Sequence, residues 1–276
     1  MNDSPPNPTA SPHALVFDSG VGGLSVLREI AALLPQLRLT YAADNAAFPY
    51  GPKSEAELVA RVSAVIGALV ETTAPEIVVI ACNTASTTAL DAVRQFLTVP
   101  VIGVVPAVKP AAAASHSRVI GLLGTKVTVA SAYTAALIKQ FADGCTVLTY
   151  GSPELVEAAE RKLQGLPPGE ADIAAAVGHL FGQPGGDRLD IVVLGCTHFP
   201  LLAQELAAAA PHPVAWMDSG AAIARRVATI LGIAPPAEQT DRPAYKAIFT
   251  ADTPSVVRMR PGLEEFGLAE VGFLKV

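Results

Sequence analysis

Two segments of this chain are near copies of one another. Ile77–Thr84 reads IVVIACNT and Ile191–His198 reads IVVLGCTH. Each is a four-residue apolar run, a small residue, a cysteine, and then polar residues suited to opening a helix. A run apolar at every position cannot be a strand with one wet face; it belongs in a sheet covered by helices on both sides. The rest of the chain obeys the same grammar. Strands are expected at Ala14–Phe17, Arg38–Ala43, Ile77–Ala81, Val101–Val104, Val119–Gly124, Thr146–Tyr150, Ile191–Gly195 and Val214–Met217. Helical patterns fall between them at Leu24–Leu34, Ser54–Thr73, Ala85–Leu97, Val127–Gln140, Ile173–Phe181 and Leu201–Ala210. Such alternation means βαβ units and largely parallel sheets. With the twin segments it predicts an α/β protein of two similar, pseudo-symmetric lobes, its active site in the interlobe cleft. One lobe is expected from 14–104 plus 215–276 and the other from 105–214, behind a loose Pro/Ser/Asn-rich tail at 1–13.

The twin position has chemical meaning. Ligands of open α/β sheets bind beyond the carboxyl ends of the strands, where the next helix points its first N–H groups. A thiol placed there is drawn toward thiolate. Either cysteine alone reads equally well as a small buried hydrophobe; the repeated context favours chemistry. A mirrored pair suits removal of a proton from one face of a carbon and return of a proton to the other, as racemisation requires. Cys82 and Cys196 are the candidate acid–base pair.

Other motifs share that edge. Asp18-Ser19-Gly20-Val21-Gly22-Gly23 follows the first strand. It lacks the spacing of a dinucleotide fingerprint or a phosphate loop, so its acid is read as an orienting group or a helix cap. The loop Asp44–Gly51 follows the second strand and offers Pro49, Tyr50 and Gly51 as substrate contacts. Thr125 and Thr128, after Val119–Gly124, read equally as donors to a carboxylate or as caps.

Composition bounds the partners. Half the chain is hydrophobic (51%), 16% is charged and the net charge is −6. Without a basic patch there is no electrostatic reason to expect nucleic acid or an anionic membrane. No apolar run reaches the ~18 residues of a membrane span. The N-terminus has neither the basic start nor the apolar stretch of a secretory signal, so the cytoplasm is the expected compartment. Three widely spaced cysteines argue against a disulfide framework, and five scattered histidines show no metal-ligand spacing. Cys145 has no matching motif and is read as structural. No metal and no cofactor is expected.

Four blocks in this order resemble the signatures of bacterial glutamate racemases: Asp18–Gly23, Phe48–Gly51, Cys82-Asn83-Thr84-Ala85 and Gly195–Leu201. Met217-Asp218-Ser219-Gly220 adds a fifth likeness, and the coverage runs from about Ala14 to about Phe273. The resemblance implies a two-domain α/β fold, no cofactor, and interconversion of L- and D-glutamate, the latter for peptidoglycan. It implies that Cys82 handles the proton of D-glutamate and Cys196 that of L-glutamate, assisted by Asp18 and His198. Asp18, Ser19, Tyr50, Gly51, Asn83, Thr84, Thr197 and His198 would bind substrate, and a homodimer is a possible assembly. A further acid falls at Glu160, with Glu157 the other candidate. The chain departs in having Ser152-Pro153 where Cys-Pro is frequent, and Phe199 where Tyr is commoner.

A thiolate is a weak base toward an α-C–H, so position and the stabilisation of charge on the substrate carboxylate must carry the reaction. No lysine motif for a pyridoxal Schiff base is present. The alternatives are an aspartate racemase of the same family, a two-lobed binding protein for a small amino acid, and a hydrolase using Cys196 and His198. The second has no need of matched cysteines, and the third would leave Cys82 idle.

Overall fold

The computed structural model describes residues 11–237 and 243–276. Ten strands are β1 (His13–Asp18), β2 (Arg38–Ala43), β3 (Ile77–Ile80), β4 (Val101–Gly103), β5 (Val119–Gly124), β6 (Thr146–Gly151), β7 (Ile191–Gly195), β8 (Ala215–Met217), β9 (Tyr245–Phe249) and β10 (Leu268–Phe273). The helices are α1 (Leu24–Leu33), α2 (Glu55–Thr73), α3 (Asn83–Phe96), α4 (Val108–Ala114), α5 (Lys126–Ala130), α6 (Ala132–Phe141), α7 (Glu154–Leu163), α8 (Glu170–Phe181), α9 (Ala203–Ala209), α10 (Gly220–Leu231) and α11 (Pro254–Glu265). The expected tail lies outside the described residues as far as residue 10, and His13 already belongs to β1.

Two sheets form, with every recorded pairing parallel. The first runs β10-β9-β2-β1-β3-β4 and the second β6-β5-β7-β8. The order β2-β1-β3-β4 is the order β6-β5-β7-β8 with each strand replaced by its counterpart, so the twin segments are the third strand of each lobe. Both-faced burial explains why parallel strands form from these residues. Ala14 and Val16 of β1 and Ile77 and Val79 of β3 face one core with α1, α10 and α11. Leu15, Phe17, Val78 and Ile80 face the opposite core with α2 and α3. In the second lobe, Val192 and Leu194 pack toward α7 and α8, and Ile191 and Val193 toward α4. Burying each such large aliphatic side chain contributes roughly 1.5–3 kcal/mol.

The differences from the sequence reading have local causes. The stretch expected as one helix over Val127–Gln140 is two, because Ser131 is extended and its hydroxyl caps the next turn by accepting from the Thr134 N–H. Residues 215–217, expected with the first lobe, pair with β7 as the fourth strand of the second sheet. The chain's return begins after them. Strands β9 and β10 were not expected; they extend the first sheet beyond β2 and have no counterpart in the second. Among the described residues no helix is long and apolar enough to cross a membrane.

Candidate active site

The carboxyl ends of β1, β2 and β3 in one lobe, and of β5, β6 and β7 in the other, meet around a cavity of about 340 Å³. Cys82 is the residue that caps the start of α3. Cys196 follows β7, ahead of a single tight turn over Phe199–Leu202. Both thiols line the cavity, with Ser19, Pro49, Tyr50, Gly51, Asn83, Thr84, Thr125, Thr197 and His198. Each of the two cysteines is buried, 6% exposed as a residue.

The two thiols have different neighbours. Cys82 Sγ lies 3.8 Å from the Ser19 hydroxyl. Burial pushes its thiol up, the Asp18 carboxylate pushes it further, and the Ala85 N–H and Ser19 hydroxyl pull the other way. Cys196 Sγ lies 3.7 Å from Nδ1 of His198, whose Nε2 is 3.0 Å from a Glu160 oxygen. Burial alone would strip the proton from that imidazole. The bonds to Cys196 and Glu160 outweigh it, and His198 holds its proton well above the usual imidazole range.

Two acids stand behind the wall rather than on it. Asp18 is fully buried and accepts from the Ser19 hydroxyl at 3.1 Å and from the Thr197 hydroxyl at 3.0 Å. Glu160 takes the Val21 N–H at 2.8 Å on the same oxygen that meets His198. Between the two acids the alternatives separate cleanly: Glu160 holds His198, and Glu157, one turn earlier on α7, is on the cavity wall. The glycines of Asp18–Gly23 serve this closeness. A Cβ at Gly20 would strike the Glu160 carboxylate, and one at Gly22 the His198 ring.

Thr128 does not join the site. It is fully buried, bonded to the Thr125 hydroxyl at 2.9 Å, and absent from the cavity wall. The cap of α5 is Thr125, whose hydroxyl accepts from the Thr128 N–H at 3.1 Å. The wall also includes Lys126, Val127, Pro153 and Val156, which the motifs did not single out. Strand order supplies the missing signal: Pro153 follows β6 as the Phe48–Gly51 loop follows β2. Cys145 is partly buried with the apolar side chains under α6 and takes no part. Among the described residues no group of three or more His, Cys, Asp and Glu is placed to hold a metal ion.

The lobes are bonded to each other by site residues themselves. The Asn83 amide donates to the Gly195 carbonyl, and the Ser25 hydroxyl to the Thr197 carbonyl at 2.8 Å. Asn83 Oδ1 is buried and has no hydrogen-bond partner.

Comparison with known proteins agrees with this arrangement. The family model described as Asp/Glu/Hydantoin racemase matches residues 21–227. A glutamate racemase of Sphingopyxis alaskensis is 53% identical over 244 residues, 88% of this chain and 87% of that one. Another, from Pectobacterium carotovorum subsp. carotovorum, is 48% identical over 264 residues, 95% of this chain and 91% of that one. The crystal structure of Escherichia coli glutamate racemase in complex with L-glutamate and the activator UDP-MurNAc-ala superposes with a TM-score of 0.89 at 45% identity, covering 96% of this chain and 99% of that one. With two matched lobes, a cysteine at the same place in each, and relatives of this closeness over nearly its whole length, the chain belongs to the Asp/Glu/hydantoin racemase family.

Proposed function

We propose that this enzyme interconverts L- and D-glutamate with two opposed thiols and that its product D-glutamate is used for peptidoglycan. The observation that carries the mechanism is the pair of buried cysteines at equivalent strand ends on one cavity, each with its own hydrogen-bonding partner.

His198, which holds its proton well above the usual imidazole range, lies beside Cys196. Cys82, pushed up by burial and Asp18, keeps its own proton. With L-glutamate, Cys196 acts as the base: as thiolate it takes the α-proton, the electron pair is left on the α-carbon and delocalised into the carboxylate, and the Cys82 thiol delivers its proton to the opposite face. D-glutamate runs the reverse course from the reversed state.

The growing negative charge on the substrate carboxylate requires donors. The hydroxyls of Thr84 and Thr125 and the N–H groups at the start of α3 are on or beside the wall, whereas the Ser19 and Thr197 hydroxyls give their protons to Asp18. The unpartnered Asn83 Oδ1 is suited to accept from the substrate ammonium, which would satisfy a buried acceptor that stands on the cavity wall without a partner. Asp18 and Glu160 act from behind, by holding Ser19, Thr197 and His198. The reading takes the cytoplasm as the working compartment and a homodimer as the assembly, which analytical ultracentrifugation would read.

A chiral assay on purified protein with L-glutamate and no added cofactor is the direct test. Appearance of D-glutamate supports the proposal. Turnover of aspartate without turnover of glutamate, or binding of glutamate without turnover, would replace it.

A further inference from the structure

The Phe48–Gly51 wall is held from behind by a segment that the two-lobe repeat does not contain. After β9 the chain crosses the start of the Asp44–Gly51 loop and bonds to three successive residues. The Thr250 hydroxyl donates to Asp44 Oδ1 at 2.7 Å and accepts from the Ala46 N–H at 3.0 Å. Asn45 and Ala251 exchange two bonds, Nδ2 to the Ala251 carbonyl at 2.8 Å and the Ala251 N–H to Oδ1 at 2.9 Å.

Asp44 is the centre of this bracket. It is fully buried, and its other oxygen takes the Tyr50 hydroxyl at 2.7 Å and Arg61 Nε at 2.9 Å. Arg61 Nη2 reaches Oδ1 at 2.7 Å, completing a bidentate fork from α2. Burial pushes the Asp44 carboxyl up, but the bonds from Arg61, Thr250 and Tyr50 prevail and hold it below the usual carboxylate range. Both oxygens are committed to holding the loop. The Tyr50 hydroxyl gives its proton to Asp44, which is not among the residues of the cavity wall. Among the described residues the opposite lobe shows no such device: β6 is the edge of its sheet, and the Ser152 hydroxyl bonds locally, donating to Glu154 at 2.8 Å and accepting from the Leu155 N–H.

We propose that Thr250, Asp44 and Arg61 are positioning residues for glutamate binding, fixing the Tyr50–Gly51 wall through the Asp44 carboxylate. The inference rests on the glutamate reading above. It explains why the first sheet carries β9: the added strand delivers Thr250 and Ala251 to the loop, and the catalytic thiols lie on other elements. Loosening the wall weakens substrate and transition state alike, which raises KM with little change in kcat.

The test compares Thr250→Val, which keeps shape and loses the hydroxyl, with Thr250→Ser, which restores it. Arg61→Lys is the second probe, since it keeps the charge and loses the fork. Thr250→Val should raise KM for L-glutamate by roughly tenfold while kcat stays within about threefold. Thr250→Ser should return KM to within about twofold of the parent, and Arg61→Lys should move KM in the same direction as Thr250→Val. A Thr250→Val enzyme with parental KM, whatever its melting temperature, overturns the inference, as does a fall in kcat at unchanged KM. If Thr250→Val does not fold, the KM of Arg61→Lys decides. The parent protein in the same assay judges the glutamate reading separately: an inert parent sinks that reading, whereas an active parent with KM-indifferent variants sinks only this one.

Discussion

The Thr197 hydroxyl, next in sequence to Cys196, donates at 3.0 Å to Asp18, the acid whose charge bears on Cys82. Asp18 bears on Cys82 as a like charge, and Thr197 adjoins Cys196 in sequence. One buried bond thus joins the two halves of the proposed proton transfer and the two lobes that carry them. The expectations below follow from that coupling.

Replacing either thiol should stop racemisation. A serine hydroxyl cannot serve as a base at neutral pH, so Cys82→Ser and Cys196→Ser should each lose at least about 10³-fold in kcat. Both side chains are small and isosteric with their replacements, so circular dichroism should be unchanged. Turnover near the parent rate in either single variant would refute the two-thiol assignment.

Solvent isotope reports the proton's path. In deuterium oxide, D-glutamate formed early from L-glutamate should carry deuterium at the α-carbon, because the delivering thiol has exchanged with solvent. Unreacted L-glutamate should stay mostly unlabelled at low conversion. Mass spectrometry of the separated enantiomers reads this, and a product retaining its original α-hydrogen argues for a single base.

Asp18 sets a pH limb. Burial and the Asp18 charge raise the Cys82 thiol, so the limb governed by Cys82 lies above the ordinary thiol value of about 8.5. From D-glutamate, where Cys82 is the base, activity climbs through that limb; from L-glutamate, where it is the acid, activity falls through it. Asp18→Asn removes a like charge, which must lower the thiol and move the limb to lower pH in both directions. The limbs belong to the coupled pair of thiols. A limb that stays put in pH profiles of kcat/KM, or moves upward, contradicts the electrostatic role given to Asp18.

Glu160 ties protonation to stability. His198 has a raised value in the folded protein, so its ion pair with Glu160 stabilises fully below about pH 6.5, the unfolded imidazole value, and fades as pH rises through the folded value. Glu160→Gln should cost roughly 1–3 kcal/mol in the lower range and less at higher pH. Thermal melts of the two proteins across pH would show the gap narrowing. A gap that widens with pH would mean that His198 is held neutral.

Eight of the ten described strands and the two cavity cysteines could be read from the residues in order. Burial on both faces leaves its mark on sequence, as in Ile77–Ile80 and Ile191–Gly195, and the start of each following helix is punctuated locally. Asp18, Tyr50 and His198 followed from likeness to known blocks at those same ends. Thr125 and Thr128 stayed open between cap and ligand because a hydroxyl serves either equally well until its partners are known; here Thr125 caps α5 and bonds the Thr128 hydroxyl. Glu160 could not be separated from Glu157 along the chain. They lie one turn apart, and only the approach of Val21 and His198 from two other elements selects between them. The bracket from Thr250 to Asp44 spans 206 residues, and β9 shows no feature of its own that names its partner. Periodicity and capping are near-neighbour physics that sequence order preserves. Which acid meets which base is decided when distant segments exclude water together, and only the packed lobes determine that.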